Sequence, residues 1–171
     1  MSFFSGFGFC HEEKLFENYL DKSEYCISGF SLGAIKAVEY TLGYKFRIDK
    51  LQFFSPAYFM DKSESFKRAQ LHYFQKQPQE YIQTFMKNVA YPAKIDLSIY
   101  SCESDKKDLE KLLYYQWKEE DLQEIVTRGI NIEVYIGAKD KIINPQKARD
   151  FFLPYGSVYF IKEGGHCLWT S

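Results

Sequence analysis

Between residues 25 and 38 the chain reads YCISGFSLGAIKAV, and inside it Gly29, Phe30, Ser31, Leu32 and Gly33 form G-x-S-x-G. Tyr25 to Ser28 read as a short buried strand, and the run from Ala34 onward is helix-forming, so the motif sits on a strand-to-helix turn. A serine held on so sharp a turn stands clear of the sheet, and only small residues two places to either side avoid a steric clash. The turn therefore presents the Ser31 hydroxyl at a helix N-terminus. The competing reading is plainer: Ser31 caps a helix and the glycines make an ordinary turn.

A β-strand on each side of that helix constrains the fold further. The apolar run 51–54 (LQFF) ends at Ser55-Pro56 and reads as a second buried strand. Strand, turn, helix and strand at this spacing make a βαβ unit, whose strands are parallel neighbours. Upstream, residues 1–4 make a very short strand, and Ser5 to Phe9 (SGFGF) form a glycine-rich loop whose amides can point at a ligand. Leu15, Phe16 and Tyr19 then recur at helical spacing over 11–20.

Residues 57 to about 118 change character. Asp61 and Glu64 make a capping signal for a helix with Phe66, Ala69, Tyr73 and Phe74 on one face. Pro78 stops it and opens a second, striped by Tyr81, Ile82, Phe85, Met86 and Val89. A third follows Ser104 with Leu109, Leu112 and Leu113. Three helices inserted between strands, rich in Tyr and Phe, predict a lid whose aromatic stripe lines a pocket or is plain core. From 62 to 94, Lys62, Lys67, Arg68, Lys76, Lys87 and Lys94 meet only Glu64 and Glu80, leaving +4 on a chain of net charge −1. That patch either steers an acidic partner or is a solvated helix face.

The last third returns to alternation: a helix over 119–128, a strand over 132–136, a helix from Pro145 and a final strand over 157–161. Asp140 and His166 each fall just past a strand end, where the active sites of open parallel sheets collect. Asp61, after the previous strand, is the alternative acid. A serine hydroxyl is a poor nucleophile without a base. His166 can take its proton and return it to a leaving group, and Asp140 can fix the imidazole tautomer. The Leu32 amide, after the nucleophile, and one from SGFGF, Phe7, can stabilise developing negative charge on a substrate oxygen.

Length and composition fit this reading. One domain accounts for 171 residues, and the near-zero net charge excludes a general nucleic-acid binder. The four cysteines lack metal-type spacing and read as free thiols of a reducing compartment; no metal site is expected. The apolar start MSFFSGFGFC lacks a basic n-region, and no run is long enough to cross a membrane, so cytoplasmic residence is expected.

Serine, acid and histidine in that order, with GFSLG at 29–33, GAKDKIINP at 137–145 and GGH at 164–166, resemble the α/β-hydrolase superfamily over nearly the whole length. The chain looks most like the pimeloyl-[acyl-carrier protein] methyl ester esterases of biotin synthesis, especially a short branch such as BioV, with SGFGF as the oxyanion loop. The resemblance implies a reduced α/β-hydrolase fold with a mostly parallel sheet and a helical lid. It also implies cleavage of the methyl ester on carrier-bound pimeloyl, releasing methanol, with no metal or organic cofactor. Acyl carrier proteins are acidic, so Lys62, Lys67 and Arg68 would be docking residues. The superfamily carries two further strands before the oxyanion loop and a histidine before its first glycine. This sequence begins almost at the loop and has Ser5 at that position, so a new sheet edge, open to dimerisation, is expected.

Overall fold

A computed structural model describes residues 2–170. Five strands, β1 (Ser2–Phe4), β2 (Cys26–Phe30), β3 (Lys50–Phe54), β4 (Asn131–Gly137) and β5 (Ser157–Ile161), form one sheet in that spatial order. Every pairing is parallel, with Phe4 opposite Gly29, Phe30 opposite Phe54, Phe54 opposite Tyr135 and Gly137 opposite Ile161. The predicted βαβ unit is therefore present, with α1 (Leu32–Gly43) as its crossover. Because all strands run the same way, the turns that follow β2, β4 and β5 open at one end of the sheet.

The two faces of the sheet are built differently. In-register residues project to the same side, so Phe30, Phe54, Tyr135 and Tyr159 form an aromatic row across four strands. Phe16 packs on this row, with ring centroids 4.9 Å from Phe30 and 4.6 Å from Phe54. The opposite face carries Phe53, which meets Trp117 and Phe152 at 5.8 Å each. Helix α5 (Glu119–Thr127) leads into β4, and α6 (Pro145–Phe152) connects β4 to β5.

The predicted helix over 11–20 is reduced to a 3₁₀ turn, Glu12–Phe16. His11 begins it in the left-handed region at φ 58°, and a segment this short has too few bonds to propagate a helix on its own. Leu15 and Phe16 are nonetheless buried, so the spacing of the apolar residues was informative while the element type was not.

Between β3 and β4 lie α2 (Glu64–Lys76), α3 (Pro78–Ala90) and α4 (Lys106–Tyr114). The cap of α2 is Ser63, whose hydroxyl accepts from Phe66 N at 3.2 Å, and not Asp61. Asp61 is drawn inward, with Lys62 Nζ 3.5 Å from its carboxylate. Asp105 caps α4 by accepting from Asp108 N at 2.8 Å. Among the described residues no helix is long and apolar enough to cross a membrane.

Cys10 and Cys102 form a disulfide, which corrects the reading of four free thiols; Cys26 and Cys167 are free and buried. The bridge accompanies a short antiparallel contact, in which Cys10 N donates to Tyr100 O and Cys102 N to Gly8 O, each at 2.9 Å. Ninety-two residues separate the two cysteines, so spacing carried no sign of the pair. With it goes the inference of a reducing compartment from thiol usage.

Candidate active site

Ser31 stands at the turn between β2 and α1 with φ 52° and ψ −112°, a strained conformation for a residue with a side chain. The surroundings impose it. Ser31 N donates to Phe54 O at 2.9 Å, and Ser31 O accepts from Ala34 N at 3.1 Å and Ala57 N at 3.2 Å. The flanking glycines are required by contact: a Cβ on Gly29 would lie 2.2 Å from Gly33 O, and one on Gly33 would lie 1.8 Å from Phe4 O. This is the close approach that the motif predicts, and it packs the start of the SGFGF loop against the first turn of α1.

Asp140 and His166 come from the turns after β4 and β5, and the backbone ties those turns together. Lys139 N donates to Gly164 O, and Ala138 N to Ile161 O, each at 2.9 Å. Asp140 Oδ1 accepts from the amides of Ile142 at 2.7 Å and Ile143 at 3.1 Å. Its other oxygen, Oδ2, lies 2.6 Å from His166 Nδ1, and both side chains are fully buried. A carboxylate partner requires Nδ1 to carry the proton, which leaves a lone pair on Nε2. The imidazole also packs 5.1 Å from the ring of Phe30, the residue before Ser31.

The structure thus joins Asp140, and not Asp61, to His166. It forms no Ser31–His166 hydrogen bond: Ser31 Oγ and His166 Nε2 are both buried without a partner. A buried polar atom left unpaired is costly; one of these is the hydroxyl of the residue after Phe30, and the other is a nitrogen of the imidazole packed on Phe30. Catalytic hydrogen bonds in unliganded sites are often long and tighten only when substrate binds.

Phe7 and Leu32, whose amides are the predicted oxyanion donors, are both buried. Leu32 N belongs to the first turn of α1, where no intrahelical acceptor exists. Phe7 lies in the SGFGF loop, its ring edge-on to Phe74 of α2 at 5.9 Å and Phe85 of α3 at 5.6 Å. The inserted helices therefore close over this loop. Beside them is a cavity of about 250 Å³, walled by Phe59, Tyr73, Tyr81, Phe85, Leu113 and Ile142, with Gln70, Thr84, Asn88 and Lys141 as its polar groups. Burial pushes the Tyr81 phenol up to about 12, and it remains a neutral donor to Gln70 Oε1 at 3.1 Å. Neither Ser31 nor His166 lines this cavity.

The three predicted docking residues do not share a surface. Lys67 is only 5% exposed and its ammonium lies 5.1 Å from the centroid of the Tyr114 ring, which removes it from any docking face. Arg68 is exposed and sits 3.9 Å from Glu64 on its own helix, and Lys62 is engaged by Asp61. One buried ionisable group near the loop was missed: Glu12, whose Oε1 accepts from Gly6 N at 2.7 Å. In the sequence it is one acidic residue in a predicted helix, and nothing distinguishes it from Glu13. Among the described residues no group of three or more His, Cys, Asp or Glu side chains is placed to hold a metal ion.

No family model matches the sequence, and no curated protein matches it. Solved structures match its fold. An esterase from Exiguobacterium antarcticum superposes with a TM-score of 0.66 at 14% identity, over 82% of this chain and 59% of that one. BioG from Haemophilus influenzae gives 0.60 at 14% identity, over 97% of this chain and 87% of that one. BpoC from Mycobacterium tuberculosis gives 0.68 at 13% identity, over 97% and 84%. The chain therefore has a reduced α/β-hydrolase fold, spanning little more than half of the Exiguobacterium esterase and nearly all of BioG.

Proposed function

We propose that this protein is a serine carboxylesterase in which Ser31 is the nucleophile, His166 the general base and Asp140 its orienting acid. The observation that carries the proposal is the buried Asp140–His166 pair, whose Nε2 has no partner and whose ring packs on Phe30, the residue before Ser31, whose own hydroxyl is unpartnered. Ser31 Oγ attacks the ester carbonyl carbon as its proton passes to His166 Nε2. The carbonyl oxygen becomes an oxyanion held by the Phe7 and Leu32 amides. Collapse breaks the bond to the alkoxy oxygen, which leaves as the alcohol with the proton from His166. Water then attacks the acyl-Ser31 carbonyl as His166 takes a proton from it; collapse breaks the bond to Ser31 Oγ, which regains the proton from His166, and the acid is released. Asp140 stabilises the imidazolium in both halves. Because Ser31 and His166 are buried, substrate enters only when the helical lid over 57–118 moves away from the Phe7 loop.

For the substrate we propose the methyl ester of pimeloyl-acyl carrier protein, giving pimeloyl-acyl carrier protein and methanol. Support comes from the motif resemblance and from the fold shared with BioG across nearly the full length of both chains. No cofactor takes part. A second reading, a small-molecule carboxylesterase or acyl thioesterase, is favoured by the withdrawal of Lys67 from the surface. Parallel assays on methyl-pimeloyl-carrier protein and p-nitrophenyl esters separate the two: preference for the carrier-bound ester by at least tenfold in kcat/KM supports the first, and the reverse preference supports the second. Covalent labelling of Ser31 by a fluorophosphonate tests the chemistry common to both.

A further inference from the structure

Glu12 is fully buried beside the loop that carries the Phe7 amide. Carboxyl groups are rarely buried so completely unless something requires them. Burial holds its carboxyl above the usual range, against the opposing pull of its hydrogen bond from the Gly6 amide. One oxygen accepts from Gly6 N at 2.7 Å, and the other, Oε2, is buried with no partner. A hydrophobic residue of the same size would remove the unpaired oxygen but would leave the buried Gly6 amide without its acceptor.

Several amides in and just after the loop have an identifiable acceptor. Gly6 N goes to Glu12, Phe9 N to Gly6 O at 3.2 Å and Cys10 N to Tyr100 O at 2.9 Å. On the other side, Gly8 O accepts from Cys102 N at 2.9 Å. Among the described residues no acceptor takes the amides of Phe7 or Gly8. The Phe7 peptide is thus held at both shoulders, by Glu12 at Gly6 and by the 100–102 segment at Gly8, with its own N–H left over.

We infer that Glu12 is a positioning residue, which fixes the Gly6 peptide so that the Phe7 amide is aimed at the substrate oxyanion. The inference rests on the serine esterase reading, since without an oxyanion the Phe7 amide has no task. Glu12 touches neither substrate nor Ser31; it acts through the backbone it holds. Losing the acceptor frees the Ser5–Gly6 peptide, from which the following Gly6–Phe7 peptide takes its direction, and the Phe7 amide then spends less time pointing where negative charge develops. An interaction made only in the transition state shows in kcat and leaves substrate binding alone.

The test compares Glu12→Gln, which retains an acceptor oxygen, with Glu12→Met, which keeps the length and removes it. On a p-nitrophenyl ester, E12M is expected to lose at least tenfold in kcat with KM within about twofold of wild type, and E12Q to stay within about threefold in both. A trifluoromethyl ketone, which forms an oxyanion on Ser31, should lose affinity for E12M by the same factor as kcat. An E12M variant with wild-type kcat and ketone affinity overturns the inference, as does an E12Q variant impaired as deeply as E12M. Should E12M not fold, E12Q decides alone: near-normal kcat supports the positioning role, and a tenfold fall in a folded E12Q refutes it. If wild-type protein neither hydrolyses esters nor labels with fluorophosphonate, it is the esterase reading that fails.

Discussion

The proposed centre around Ser31 and the basic residues on and just before α2 are held by different kinds of force. At Ser31 the backbone decides: three hydrogen bonds, two glycines with no room for a Cβ and two cross-bonded turns leave the side chains no other place. On those basic residues nothing comparable acts. Lys62, Lys67 and Arg68 are long, flexible side chains, and each takes whatever neighbour is near: Asp61, the Tyr114 ring and Glu64. A site fixed by main-chain geometry can be located from the identity of a few residues. A patch fixed by side-chain conformers cannot.

The sharpest way to break this contrast is at the proposed nucleophile. Ser31→Ala is expected to lower kcat by roughly a millionfold while leaving the fold intact, because the hydroxyl makes no hydrogen bond that the fold needs. Circular dichroism and ester turnover check the two halves of that statement. A variant that retains turnover moves the chemistry away from the G-x-S-x-G turn.

Next in size comes Asp140→Asn. The amide side chain can still accept the Ile142 and Ile143 amides through one oxygen, but it then offers an NH₂ to His166 Nδ1, which forces the proton to Nε2. That tautomer cannot take a proton from Ser31, and a fall of about ten-thousandfold in kcat is expected. A matching Asp61→Asn variant should change kcat far less; parity between the two would restore Asp61 as the acid.

How much of this was legible in advance follows the same division. The parallel sheet, the βαβ unit, the turn at Ser31 and the positions of Asp140 and His166 past strand ends all come from local patterns, and each appears where the pattern puts it. What was hidden depends on distant parts of the chain meeting. The Cys10–Cys102 bridge spans ninety-two residues. Glu12 becomes a buried acceptor only because Phe16 anchors its short turn to the aromatic row. Lys67 disappears from the surface only because α4 brings Tyr114 over it. Periodicity gives the face of a helix, and it does not say which neighbour will cover that face.

The disulfide offers a smaller effect on stability. Replacing both Cys10 and Cys102 by serine is expected to cost about 2 to 4 kcal/mol, by freeing a long loop in the unfolded chain. Denaturant titration of oxidised wild type against the double variant measures it. An equal midpoint would mean that the antiparallel contact at Phe9 and Ser101 already holds the two segments together.

Away from the site, Lys50 bridges Asp21 at 2.9 Å and Glu133 at 3.0 Å. Its ammonium, hydrogen-bonded to Asp21, holds that carboxyl below the usual range. For Glu133 burial works upward, but hydrogen bonds from Gln52, Lys50 and Tyr135 outweigh it and the net direction is also down. A carboxyl depressed in the folded state stabilises above its unfolded range and loses that contribution as pH falls through it. Lys50→Met should therefore cost about 1 kcal/mol at neutral pH, and the difference from wild type should shrink below about pH 4. A constant difference across that range would assign the loss to packing of the lysine stem.

The smallest effect is expected from the patch itself, and there the two substrate readings part. With Lys67 covered, only Lys62 and Arg68 are left to meet an acidic partner, and each is already engaged by an acid of its own. Exposed charges of this kind contribute up to about 1 kcal/mol each, so reversing both to glutamate should lower kcat/KM on carrier-bound ester by about threefold to tenfold at low salt. Raising ionic strength should erase the difference, because charges at the rim of an interface act through a screened field and mainly on association. On a p-nitrophenyl ester the same double variant should be indistinguishable from wild type. An unchanged rate on both substrates would leave Ser31, Asp140 and His166 untouched and would remove the patch from the account of carrier recognition, which would then fall to other cations of the inserted segment, such as Lys87 and Lys94 beside the groove of α3.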